Sequence, residues 1–447
     1  MKNVLYCLLY ALTITMIVMT VVMPGSITTN PIPFFNIVSL SMIIVGTGWV
    51  VKSLLFMLLA PWYSYIWARR KRHFAQRNYK PLVSVVIPAW NEEVGLLSTV
   101  KTILASTYRP LEIVVVNDGS TDKSDAVMRS FIYRYEMSVR GSKRYAPIIY
   151  HYQQNGGKGK ALNTGIALAR GEIIVTFDAD SVVHEEAVQH FVSYFADPEV
   201  MAAAGNIKVG NTKTLLGSIQ GLEYMFGLHL KKAEALLGVV IVIGGAASAF
   251  RREVFRRLGG FHVGSLTEDM DLSLRIQEAG MKIVYVPEAI VHTEGPTSLR
   301  GLLKQRLRWK RGWLEAFHMH RRYFFGRQKG INKPFFWVIL PLVIVEDVAA
   351  VLGALFTILL YVLSFMTHDF TILLATLLFF TIIFGLQFGE DKQYRKFSYF
   401  VLAPIVWYLF HLITFVQIHS LFKTLWTFYR KSEVKWQAWK RKGVADS

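Results

Sequence analysis

Ile173-Ile174-Val175-Thr176-Phe177-Asp178-Ala179-Asp180 is the stretch on which the reading of this chain turns. A short β-branched run that ends abruptly in two carboxylates reads as a strand buried on both faces, delivering acids at its carboxyl end. Three runs of the same kind accompany it: Leu82 to Pro88, Leu111 to Val116 and Ile148 to Tyr152. Between them, Glu92 to Leu104, Lys123 to Tyr133 and Lys160 to Ala169 carry helical patterns, so the region reads as successive βαβ units with a parallel sheet of the nucleotide-binding type. In such sheets ligands bind beyond the carboxyl ends of the strands. Here those ends read Pro88-Ala89-Trp90-Asn91-Glu92-Glu93, Asn117-Asp118-Gly119-Ser120-Thr121-Asp122 and Asp178-Ala179-Asp180, which makes Pro88, Asn91 and Glu92 candidate ligand contacts beside the acids.

Asp118 follows a β-branched run and precedes Gly119, so its carboxylate can accept from a nucleobase or ribose; Asp-Gly-Ser-Thr-Asp is equally good turn and cap chemistry. Asp178 and Asp180 fall on the same side of an extended backbone, an arrangement that suits a hard divalent cation completed by diphosphate oxygens and water. Gly156-Gly157-Lys158-Gly159-Lys160 is followed by Ala161 where a P-loop needs Ser or Thr, which excludes a Walker ATPase while leaving Lys158 and the glycine amides within reach of a diphosphate. Thr267-Glu268-Asp269 opens a helix running to about Ala279; acids there are favoured by capping and the helix dipole, or serve as a general base for a sugar hydroxyl. Gln305-Arg306-Leu307-Arg308-Trp309 offers a guanidinium for a leaving diphosphate and an indole face for a sugar or base. Val239 to Phe250, with Gly244-Gly245-Ala246-Ala247-Ser248, is a candidate floor for a ligand site at Gly245, or a buried strand that needs small neighbours.

Outward from this centre the composition changes. The chain has 447 residues, 53% of them hydrophobic and 18% charged, with a mean hydropathy of +0.33. These values exclude a disordered, collagen-like or ordinary soluble chain. Val4 to Met23 and Phe34 to Pro61 are apolar enough to span a bilayer, and Phe335 to Phe365, Thr371 to Phe388 and Ser398 to Phe428 read as about three further passes. Cleavage of the first run as a signal peptide is disfavoured because no convincing small-residue site follows it. The basic run Arg69-Arg70-Lys71-Arg72, with Arg77 and Lys80, holds that flank in the cytoplasm by the positive-inside rule. A second basic block from Arg300 to Lys333, carrying Leu302, Trp309 and Trp313, reads as a helix in the headgroup region.

The expected organisation is therefore residues 1–66 with two transmembrane helices, a cytoplasmic domain at 67–297, interfacial helices at 298–333, about three transmembrane helices at 334–428 and a basic tail at 429–447. The formal charge of +19 is assigned to membrane lipid and span flanks; nucleic acid is not an expected partner, since no helix-turn-helix, zinc or RNA-recognition signature accompanies the basic residues. Three C-terminal passes place the tail Arg430 to Lys442 outside, against the positive-inside rule, so either 398–428 folds as a hairpin or one span lies on the surface. Cys7 is the only cysteine, which excludes an intrachain disulfide framework or a Cys-based metal site.

Four motifs in order, Asn117-Asp118-Gly119-Ser120, Asp178-Ala179-Asp180, Thr267-Glu268-Asp269 and Gln305-x-x-Arg308-Trp309, resemble the processive membrane glycosyltransferases of family 2, the group of cellulose, chitin, hyaluronan and poly-N-acetylglucosamine synthases. Residues 305–317, Gln-Arg-Leu-Arg-Trp-x-x-Gly-x-x-Glu-x-Phe, look most like bacterial poly-β-1,6-N-acetylglucosamine synthases, with Lys310-Arg311 and Trp313 as departures. The resemblance implies an α/β GT-A (Rossmann-like) cytoplasmic domain, a UDP-sugar donor, a growing polysaccharide acceptor and inverting transfer in a bacterial inner membrane. It implies uridine binding at Asp118, Mg²⁺ or Mn²⁺ on Asp178 and Asp180, and Asp269 as base beside Glu268. Gln305, Arg308 and Trp309 are implied at the donor diphosphate, with Trp309 also at the acceptor end. A small membrane subunit is a candidate partner by analogy. A hyaluronan, chitin or other polymer synthase, a single-sugar transferase to a lipid acceptor, and a non-catalytic nucleotide-sugar sensor remain as alternative readings.

Overall fold

The computed structural model describes residues 55–74, 78–139, 145–391, 394–395, 397–430, 432 and 443. The expected span Val4 to Met23, most of Phe34 to Pro61 and most of the basic tail lie outside the described residues. Eight strands form one sheet: β1 (Val83–Ala89), β2 (Leu111–Asp118), β3 (Ile148–Gln153), β4 (Ile173–Phe177), β5 (Val182–Val183), β6 (Val200–Val209), β7 (Ala247–Arg251) and β8 (Lys282–Thr293). Their order is 3-2-1-4-7-6-8-5. The helices are α1 (residues 55–74), α2 (Leu96–Leu104), α3 (Ser124–Val139), α4 (Lys158–Leu168), α5 (Ala187–Phe195), α6 (Leu215–Leu236), α7 (Arg252–Leu258), α8 (Glu268–Glu278), α9 (Leu299–His320), α10 (Leu340–Thr367), α11 (Thr371–Glu390) and α12 (Phe397–Tyr429).

Every residue of β1, β2 and β4 is buried, which is why these strands are continuous apolar runs without alternation. Each fully buried Val or Ile in them contributes about 1.5–3 kcal/mol. β1 to β4 pair in parallel, as the βαβ pattern requires. Beyond β4, outside the stretch read as βαβ units, the sheet is mixed: β7 runs against both β4 and β6, and β5 runs against β8. The chain returns from α6 through a turn with Gly244 at φ +79°, and the register Phe177↔Ala247 then sets that turn beside Asp178. A parallel β7 would have carried the turn to the opposite edge. The small side chains Ala247, Ser248 and Ala249 allow the close pairing, and Ser248 Oγ lies 2.6 Å from Thr176 Oγ1.

α1 continues beyond Pro61 through the basic run, with Ala60, Tyr63 and Trp67 buried. The Tyr63 hydroxyl donates to the Tyr285 carbonyl and accepts from the Tyr285 amide at 2.9 Å, fixing the helix to β8. Arg70 pairs with Asp197 at 2.9 Å and Lys71 with Glu288 at 2.6 Å, so part of the basic run is held by the protein itself and not by lipid.

The second basic block shows the same effect more strongly. α9 lies between α8 and α12, with Leu302, Gln305, Arg306 and Arg311 buried. Arg306 pairs with Glu223 at 2.7 Å and Arg311 with Glu315 at 2.5 Å, while Lys310 pairs with Asp347. Glu223 and Asp347, distant in sequence, thus neutralise part of a stretch that looks almost wholly basic within its own window.

α10, α11 and α12 each contain a stretch long and apolar enough to cross a membrane. Glu346 and Asp347 lie within α10 and do not break it. Residues 398–428 form no hairpin; α12 is one continuous helix with Pro404 inside it.

Candidate active site

The carboxyl ends of β1, β2 and β4, the turn before β7 and the start of α8 converge. At the first, Asn91 at φ +54° accepts from the Thr121 amide at 2.8 Å, and its own amide donates to Ser120 Oγ at 2.9 Å. The Glu92 amide donates to Ser124 Oγ at 3.0 Å. Pro88 is the penultimate residue of β1, opposite Val116. Asn91, through its backbone amide and its side-chain Oδ1, and Glu92, through its backbone amide, thus tie the two strand ends together.

Asp118 is buried at the end of β2. Its Oδ1 accepts from Gln153 Nε2 at 2.7 Å and the Gly156 amide at 3.0 Å, and its Oδ2 accepts from the Gly157 amide at 2.8 Å. A carboxylate has about four acceptor positions, so these three donors leave it capacity for another. Gly157 takes φ +85° to make this approach, and α4 begins at the next residue, Lys158.

The Lys158 ammonium sits 2.6 Å from Asp178 Oδ1 and 3.2 Å from Glu268 Oε1. Burial opposes its charge, but Asp178, Glu268 and Asp269 together outweigh burial and hold its pKa above the ordinary lysine value. Burial pushes the Glu268 carboxyl up, Lys158 counteracts this, and Asp269 adds to the rise. Asp269 Oδ2 accepts from the Gly245 amide at 2.8 Å and Oδ1 from the Met270 amide at 2.9 Å. Gly245 stands at the centre of the group: a Cβ there would lie 2.9 Å from Lys158 Nζ and 3.3 Å from Asp269 Oδ2. Asp180 is buried beside Thr293, whose hydroxyl donates to it at 3.4 Å.

Among the described residues no three His, Cys, Asp or Glu side chains form a complete metal cage. The donor set still fits a cation, because an ammonium is accommodated between Asp178 and Glu268. Two aspartates are a suitable protein share of a hard divalent ion's ligands when diphosphate and water supply the rest.

α9 closes the site from the other side. Arg308 Nη1 donates to the Leu266 carbonyl at 3.0 Å, directly before Thr267-Glu268-Asp269. Gly312, one turn on, packs so closely on Thr267 that a Cβ there would lie 2.5 Å from Thr267 Cγ2 and 2.9 Å from its Cβ. Trp309 is half-buried, with the Arg306 guanidinium 4.5 Å over its ring. Gln305 Oε1 is buried and has no hydrogen-bond partner among the described residues, the mark of an atom that awaits a ligand or water.

The residues singled out from sequence therefore cluster around Lys158, Gly245, Asp178, Glu268 and Asp269, with Arg308 anchored to the same loop and Asp118 behind the glycine turn. Sequence reasoning missed Gln153, the Lys158 bridge to Glu268, and the Gly312 to Thr267 contact. No local signal announces them, since each joins elements far apart in the chain.

Residues 81–312 match the family described as glycosyltransferase like family 2. A poly-β-1,6-N-acetyl-D-glucosamine synthase of Staphylococcus aureus (strain COL) is 29% identical over 314 residues, 68% of this chain and 70% of that protein. Its namesake in Staphylococcus epidermidis is 28% identical over 236 residues, 52% and 55% of the two chains. In three dimensions the chain is similar to a mannosyltransferase from Pyrobaculum calidifontis solved with GDP-Man and Mn²⁺, with a TM-score of 0.52 and 21% identity over 81% of this chain and 98% of that one. That likeness establishes the GT-A-like fold.

Proposed function

We propose, from the premise that this chain belongs to the glycosyltransferase like family 2, that it polymerises N-acetylglucosamine from UDP-GlcNAc into a β-1,6-linked polysaccharide and passes the product across the membrane. The observation that carries the reading is the convergence of Asp178, Lys158, Glu268, Asp269 and Gly245 on one point. The similarity to the staphylococcal synthases supports the choice of sugar.

Chemically, Asp269 accepts the proton of the acceptor hydroxyl, and that oxygen attacks the anomeric carbon of the donor sugar from the face opposite the diphosphate. The bond to the diphosphate oxygen breaks, UDP departs and the anomeric configuration inverts. Lys158 and Arg308 meet the charge that develops on UDP. A divalent cation on Asp178 and Asp180 would supply further charge neutralisation for the diphosphate. Asp118 holds the uridine end with its remaining acceptor capacity, and Gln305 and Trp309 orient the sugars.

The same reading includes a topology. Asp391, after α11, pairs with Lys208 of β6 at 2.7 Å, and the Tyr394 hydroxyl donates to the Gly221 carbonyl at 3.2 Å, so the start of α12 lies on the catalytic side. At the other end Phe428 lies under the Arg311 guanidinium at 4.8 Å and beside His318. Both ends of α12 lie against elements of the α/β domain and its middle reaches the far half of α10, where the Tyr361 hydroxyl is 3.1 Å from His411 Nε2, so in this reading α12 starts and ends on the same side of the membrane. The basic tail then stays inside, in agreement with the positive-inside rule.

UDP release by the purified protein with Mg²⁺ or Mn²⁺ tests the reading. Release is expected with UDP-GlcNAc alone. A requirement for UDP-glucuronate as well would move the assignment to a hyaluronan-type synthase, and silence with every donor would refute catalysis by this chain alone.

A further inference from the structure

α9 and α8 meet once more beyond the active site. His320, the last residue of α9, is buried with its imidazole between two carboxylates of α8: Nε2 lies 3.0 Å from Asp271 Oδ1, and Nδ1 contacts Glu278 Oε1. Asp271 and Glu278 are seven residues apart and so share one face of the helix. α9 is thus attached to the loop and helix that bear Glu268 and Asp269 at three points, Arg308 to the Leu266 carbonyl, Gly312 on Thr267, and His320 on Asp271 and Glu278. The first two sit at the active site and the third at the far end, where it has the longest lever.

We infer that His320 is a positioning residue for the transfer, its charged imidazole bridging two carboxylates of α8 so that Gln305, Arg308 and Trp309 keep their place over Glu268 and Asp269. The inference rests on the proposed glycosyl transfer for its activity readout. A histidine that merely filled the core would not need two carboxylate partners. The other charged or titratable groups around it are Arg275 of α8, whose Nη2 is 2.9 Å from Asp271 Oδ2, and His262 of the preceding loop, 4.0 Å from Asp271 Oδ1. Arg322 and Tyr323 follow on the next turn, and with these groups and Met319 they line an adjoining cavity of about 390 Å³. The cavity leaves room for a longer cationic side chain in place of the imidazole.

Burial opposes the imidazolium, but the hydrogen bonds to Asp271 and Glu278 outweigh it and raise the His320 pKa from 6.5 to about 9. Because the folded value lies above the ordinary one, the bridge is fully made below about pH 6.5 and is lost as pH rises through about 9.

The test compares wild type, His320→Gln and His320→Arg as the full-length protein, reading kcat, KM and UDP affinity from pH 6 to 10 together with the melting temperature. A displacement of about 1 Å at a reacting centre lowers rates by about a hundredfold, so His320→Gln is expected to lose at least about tenfold in kcat and to weaken UDP binding. Wild type is expected to show an alkaline limb near pH 9, and His320→Gln to lose it. His320→Arg, which keeps the charge, is expected to recover most of kcat. Wild-type kcat and an unchanged pH profile in His320→Gln would overturn the inference. So would equal losses in both variants that follow their melting temperatures alone. If wild type released UDP from no donor, the proposed function would fail first; an alkaline fall of melting temperature and UDP affinity that persists in His320→Gln would then overturn the bridge separately.

Discussion

Gly312→Ala is the most informative single change at the contact between the two halves of the site. The added Cβ would lie 2.5 Å from Thr267 Cγ2 and 2.9 Å from Thr267 Cβ, where ordinary contact begins near 3.4 Å. α9 must therefore retreat by roughly 0.5–1 Å, since one clashing atom is a Cβ that no rotamer can move. Overpacking of this kind costs about 1–3 kcal/mol. Replacing Gly by Ala inside a helix returns about 1 kcal/mol, so the net loss of stability is about 0–2 kcal/mol. The effect on activity is larger, because Arg308 and Trp309 lie within one turn of Gly312 and move with it. A misplacement approaching 1 Å predicts a fall of about a hundredfold in the rate of UDP release. Adding Thr267→Ala removes Oγ1 and Cγ2, the two atoms nearest the added Cβ, and should restore much of that rate. The assay is steady-state UDP release with melting temperatures for the two single variants and the pair. Full activity with a raised melting temperature in Gly312→Ala would refute the close crossing, as would strictly additive effects in the pair.

Three other outcomes follow from the same geometry. Asp269→Asn should keep UDP-GlcNAc affinity near wild type while transfer falls by about 10²–10⁴-fold, since the change removes a proton acceptor and leaves the donor ligands in place; loss of donor binding in calorimetry would contradict that role. Asp180→Asn should weaken Mn²⁺-dependent donor binding, and unaltered binding with or without metal would remove Asp180 from the cation site. For the topology, cysteines placed at His368 and Ser432 after replacement of Cys7 should differ towards a membrane-impermeant thiol reagent on intact cells. His368→Cys should react and Ser432→Cys should not; labelling of both would make α12 a full crossing.

The parallel half of the sheet was legible because β1, β2 and β4 are buried on both faces and their sequences contain little else but branched apolar residues. The motif residues at their ends were legible for the same reason, a strand end being a short-range event. β7 was not, because its direction depends on pairing between Phe177 and Ala247, seventy positions apart, and small residues such as Ala247 and Ser248 fit either direction. The charged blocks misled in one respect. Arg70, Lys71, Arg306 and Lys310 find their acids at Asp197, Glu288, Glu223 and Asp347, which composition within a window cannot reveal. The 398–428 segment posed a topological conflict that a hairpin could have answered. The contacts of Tyr394, just before one continuous helix, and of Phe428, near its end, support the proposal that the helix starts and ends on the same side instead.

The most direct measurement is the product made by purified protein from UDP-GlcNAc alone, with Asp269→Asn as the negative control. A polymer that a β-1,6-N-acetylglucosaminidase degrades completely, made by wild type and absent from Asp269→Asn, is the predicted result. A product resistant to that enzyme, or the same yield from Asp269→Asn, would contradict the assignment of linkage or of the base.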